Sequence, residues 1–143
     1  MKKLIISFIL ILSANVAHAQ LPGSIVSYNL DTFAPGVNTT TGTPLQTTVI
    51  TVPNFMCGQT APTITGTVTN PTKAVIDDPG SAGKVCIAAL VANYLVALPN
   101  GTGYVATIQA VDNLGQVSAR SVASNPFGKQ GLPVSPTNLK LVP

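Results

Sequence analysis

The chain has 143 residues, 45% of them hydrophobic and only 8% charged. Seven Lys and Arg stand against four Asp, with one His and no Trp, for a formal net charge of +3. This much apolar content excludes a self-repelling disordered chain, and the absence of a basic cluster excludes nucleic acid as the expected partner.

Residues 1–19 read as a secretory signal peptide. Lys2 and Lys3 open it, an apolar run from Leu4 to Leu12 follows, and Ala17-His18-Ala19 has the small-x-small form of a cleavage site before Gln20. The run is too short for about 30 Å of hydrocarbon, so no membrane insertion is expected after cleavage. Without this segment, five cations (Lys73, Lys84, Arg120, Lys129, Lys140) face four aspartates (Asp31, Asp77, Asp78, Asp112), a net charge of +1. The remaining chain has no His and no Glu. That removes the Ser-His-Asp and Cys-His arrangements and most of the ligands zinc prefers. No catalytic residue, metal ligand or cofactor is expected.

Short strands bounded by turn residues follow in order. Ser24–Phe33 places Val26, Tyr28 and Leu30 on one face, and residues 37–44 form a polar loop. Leu45–Val52 is rich in β-branched residues, Pro62–Thr69 alternates Ile64, Gly66 and Val68 with Thr, and Thr72–Asp78 stops at Pro79-Gly80. Val85–Leu98 is apolar at nearly every position, so its period is unreadable. Two strands, Lys84–Val91 and Tyr94–Leu98, are expected there, with a helix as the alternative. Gly103–Asp112 turns Tyr104, Ala106, Ile108 and Ala110 inward, and Val105, Thr107, Gln109 and Val111 outward. "DNLG" then makes a hairpin turn, and Gln116–Ser124 returns antiparallel, leaving Arg120 and Asn113 exposed. Val122 joins Val105 and Val111 as ordinary exposed β-surface. Eight or nine such strands with no interleaved helices predict a single antiparallel β-sandwich over residues 20–125. Residues 126–143 form a Pro/Gly-rich tail or the stub of a following strand.

Cys57 and Cys86 are the only cysteines. An even count in an exported chain predicts a disulfide between them. Leu98-Pro99 followed by Tyr104 has the form of a tyrosine corner, in which the phenol caps the backbone a few residues upstream.

Residues 98–124, with this corner, the alternation after Tyr104, the polar turn and Ser118-x-x-Ser121, resemble the last two strands of a fibronectin type III domain. The resemblance implies a fibronectin type III-like or immunoglobulin-like sandwich with one disulfide. The core Trp usual in that family is absent. Ser135–Pro143 resembles the opening strand of the same family, although it stands at the far end of the chain.

Asp77 and Asp78 beside a Gly-rich loop could suggest calcium or an acid and base. Adjacent strand residues point to opposite faces, so a strand end with an Asp-Pro turn is the simpler reading, and Asp112 likewise serves a turn. The expected function is that of a secreted, periplasmic or cell-surface non-catalytic module for binding, adhesion or spacing, with a protein or glycan partner. The alternatives are a structural subunit of an extracellular appendage or viral particle, and then a small hydrolase using Asp77, Asp78 or Asp112.

Overall fold

The computed structural model describes residues 23–91 and 94–131. The signal-peptide reading of residues 1–19 and the strand-like reading of 135–143 lie outside the described residues. The described chain is all-β. Its strands are β1 (Ile25–Phe33), β2 (Gln46–Thr51), β3 (Phe55–Gln59), β4 (Val68–Thr69), β5 (Lys73–Asp77), β6 (Val85–Ala89), β7 (Gly101–Asp112) and β8 (Phe127–Lys129). One turn of 3-10 helix, Val52–Asn54, joins β2 to β3, where Pro53 suits the first positions of a turn. Among the described residues no helix is long and apolar enough to cross a membrane.

Two sheets result, ordered β2-β1-β7-β8-β4 and β3-β6-β5. β1 runs antiparallel to both β2 and β7, and its period of two decides what is buried. Leu30 and Thr32 face inward with Ile50, Tyr104, Ala106 and Phe127, against Phe55, Ala74 and Ala88 of the smaller sheet. The edge of Tyr28 meets Phe55 across the gap, with ring centroids 4.9 Å apart. Fully burying a side chain such as Leu30 or Phe127 contributes about 1.5–3 kcal/mol, so this shared core joins the sheets.

Several segments depart from the sequence expectation. Tyr94–Leu98 is neither strand nor helix: Tyr94 N–H donates to the Val91 carbonyl, and Leu98 N–H to the Leu95 carbonyl closes a turn. Its apolar residues signal burial, and turns bury Tyr94 and Leu98 just as well. Residues 62–67 do not pair: they are exposed, and Gly66 holds a positive φ of 70°, so only Val68–Thr69 joins a sheet. β3, absent from the expected strands, keeps its pairing with β6 around a bulge at Gly58, whose φ is 74°. β8 lies within the stretch read as tail and pairs antiparallel with β7 on one side and parallel with β4 on the other, so the larger sheet is mixed rather than wholly antiparallel as expected. Gln116–Ser124 is not a regular strand, for a reason that belongs to the site.

Candidate functional site

The disulfide joins Cys57 of β3 to Cys86 of β6. Next to it the chain turns back from β5 into β6 through Asp78. The backbone bonds are Asp78 N–H to Lys84 carbonyl, Ser81 N–H to Asp78 carbonyl and Lys84 N–H to Ser81 carbonyl. The Asp78 carboxylate accepts from Gly80 N–H at 2.8 Å and from Gly58 N–H at 3.0 Å, so it closes the turn and pins the β3 bulge. Cys57, Cys86 and Asp78 are the cluster of metal-capable side chains among the described residues, within 4.8 Å of one another. Both sulfurs are committed to the disulfide, and one carboxylate falls far short of the six to eight oxygens calcium takes. Burial, and then the nearby Asp78 charge, raise the Tyr28 phenol above its usual value of 10.0.

At the other end of the molecule the Tyr104 hydroxyl donates to the Pro99 carbonyl, 2.9 Å away and five residues upstream. Leu98 is buried beneath this crossing, and its carbonyl accepts from the Lys129 ammonium. Asp112 accepts through one carboxylate oxygen from both Leu114 N–H and Gln116 N–H, which forms the turn that follows β7. Asp78 and Asp112 thus each hold a turn. Asp31 and Asp112 belong to the larger sheet, whereas Asp77 and Asp78 stand at the end of a strand of the smaller one.

Beyond the turn at Asp112, Ser118, Ser121 and Ser124 form a ladder along β7. Their backbone N–H groups donate to the carbonyls of Ala110, Ile108 and Ala106 in turn. Their hydroxyl oxygens accept from the N–H groups of the same three residues at 2.9–3.0 Å, and donate onward to the carbonyls of Ala119, Val122 and Asn125. A hydroxyl therefore stands where a paired strand would offer a carbonyl. Three residues of this segment match two of β7, so the segment bulges at every step and its side chains lose period-two alternation. The S-x-x-S-x-x-S spacing is the signal the sequence carries for this ladder, and a reading based on alternation misses it.

That bulging lays Arg120 against the outer face of the larger sheet, contrary to its expected exposure. Its Nε donates to Asp31 Oδ2 at 3.0 Å, with the two side chains 24% and 4% exposed. Its Nη1 reaches the carbonyls of Thr39, Thr40 and Gly42, and its guanidinium lies 5.1 Å above the Phe33 ring. Thr47 donates to the other oxygen of Asp31 at 2.5 Å. Arg120 thereby fastens the 37–44 loop over the outer face of the larger sheet. Asp31, Phe33 and Thr107 are buried there, although Thr107 was expected to face water.

Between the sheets, on the side of β5 and the serine ladder, lies an open groove of about 920 Å³. Tyr28, Leu30, Ile108 and Ala110 form its floor, with Ile64 and Val122 among the lining residues. Val122 is 93% exposed and Ile64 53%. The chain matches no protein-family model, no curated protein and no solved structure.

Proposed function

We propose that the protein is a non-catalytic binding module that works outside the cytoplasm, built as a fibronectin type III-like or immunoglobulin-like β-sandwich. The observation that carries the binding reading is the apolar groove, open to water along one side of the core. A concave, largely apolar groove is a usual place for a ligand to bind, and its aliphatic lining favours a protein segment over a glycan. The Tyr104 to Pro99 hydrogen bond supports the sandwich reading. The disulfide supports an oxidising compartment.

The test is a binding screen of the oxidised protein against extended peptides bearing alternate apolar residues and against a glycan panel, read by NMR. Peptide binding with shifts at Tyr28, Ile64 and Val122, weakened by Val122→Asp, is the expected result. Binding that is indifferent to Val122→Asp, or turnover of a hydrolase substrate, would refute the proposal. N-terminal sequencing of the exported protein checks the compartment, with Gln20 as the expected first residue.

A further inference from the structure

We propose that the protein forms a two-fold symmetric dimer by antiparallel pairing of β5 with β5 of a second copy, centred on Val75. β5 also lines one side of the groove, but this pairing uses the strand's backbone edge and requires no foreign partner.

β5 is the outer strand of the β3-β6-β5 sheet, and no described strand pairs with its far edge. Hydrogen-bond parity shows which groups face that edge. Leu90 N–H donates to the Thr72 carbonyl, and Asp78 N–H to the Lys84 carbonyl. In the register that pairs Val75 with Ile87, these bonds make 72, 74, 76 and 78 the positions that bond to β6. Lys73, Val75 and Asp77 therefore direct their N–H and C=O groups away from β6.

A strand centred on Val75 is self-complementary in this geometry. Antiparallel pairing sets Val75 opposite Val75, and Lys73 opposite Asp77 at both ends, each as a hydrogen-bonded pair exchanging two bonds. A lone Lys on an edge normally discourages pairing; here the symmetric Asp77 converts it into an opposite-charge cross-strand pair. Lys73, Val75 and Asp77 are all exposed, so these side chains are available. Val75 is 36% exposed and Met56 66%, and with Ile87 they form one row across β5, β6 and β3. Pairing two copies continues this row through the two-fold axis as an apolar stripe. Pro71 and Pro79 flank β5 and confine the edge to the five residues that match themselves. A closed two-fold contact of this kind stops at two copies.

The experiment is sedimentation equilibrium of the oxidised full chain with charge-swapped variants. The wild type is expected to dimerise with rising concentration. Lys73→Asp alone, or Asp77→Lys alone, turns both end pairs repulsive and is expected to raise the dimer Kd about tenfold or more. An equimolar mixture of those two variants, and the double variant Lys73→Asp/Asp77→Lys, restores opposite charges and is expected to restore dimerisation. Val75→Pro removes an outward N–H without touching the β6 ladder, and is expected to leave a folded monomer. The proposal is overturned by a wild type that stays monomeric at millimolar concentration. It is equally overturned by a dimer indifferent to the charge swaps and to Val75→Pro. Hydrogen exchange at Lys73, Val75 and Asp77 that is slow at every concentration would also overturn it, because another segment of the same chain would then cover the edge.

Discussion

Replacing Arg120 with Ala tests how the outer face of the larger sheet is held. The substitution removes the Nε bond to Asp31, three bonds from Nη1 to loop carbonyls and the stacking over Phe33. The dominant loss is the partner of a carboxylate that is only 4% exposed. Breaking a buried pair from one side costs about 3–5 kcal/mol, because a charge is left without compensation. Two facts favour the lower end. Arg120 is 24% exposed, and Thr47 continues to donate to Asp31. We therefore expect about 3 kcal/mol, or about 10 °C in Tm for a domain of this size. The assay is urea unfolding at neutral pH, run as a double-mutant cycle with Asp31→Asn. If uncompensated charge is the cause, Asp31→Asn in the Arg120→Ala background recovers part of the loss, and Arg120→Lys does not substitute fully, since an ammonium lacks the planar fork. A loss below about 1 kcal/mol, typical of an exposed pair, would refute the reasoning, and so would the absence of any recovery on adding Asp31→Asn.

The serine ladder predicts that Ser124→Ala leaves the Ala106 N–H without its acceptor, costing about 1–2 kcal/mol and speeding exchange of that amide, with smaller effects for Ser118→Ala and Ser121→Ala at their more exposed bonds; equal protection of Ala106 in the variant would count against it. Reducing the Cys57–Cys86 bond, which spans a sequence separation of 29, is expected to lower stability by about 3–4 kcal/mol in the chain-entropy account, measured by urea unfolding with and without reductant. Burial raises the Tyr94 phenol above 10.0, and its hydrogen bond with Thr32 only partly offsets this. The stability this tyrosine contributes is therefore complete below pH 10 and is lost as pH rises through the higher folded value, since the unfolded phenol ionises first. Tyr94→Phe should flatten that alkaline decline in Tm; an unchanged slope would exclude Tyr94 as its source.

Strands are legible in the sequence where alternation meets water on one face. β1, β2, β5 and β7 are visible for this reason, and so are the disulfide and the inward set of Tyr104 and Ala106. The failures share a cause. Tyr94–Leu98 and Val85–Ala89 are equally apolar, yet one is turn and the other a central strand, because burial alone does not specify backbone conformation. Phe55–Gln59 is hidden by Pro53 and Gly58, which both look like turn punctuation; Pro53 does mark a turn, but Gly58 marks a bulge within a paired strand. The reading of Asp77 and Asp78 as turn chemistry agrees with the structure, since Asp78 closes the turn into β6.

The amino-acid sequence by itself determined the all-β class and the pairing of its only two cysteines. Tertiary structure decided what lay between. Arg120 meets Asp31 across 89 positions, and the groove gathers Tyr28, Ile64 and Val122 from three separate segments. Neither is visible in a local pattern, because periodicity reports which face of a segment is apolar, whereas sheet order and register decide what that face meets.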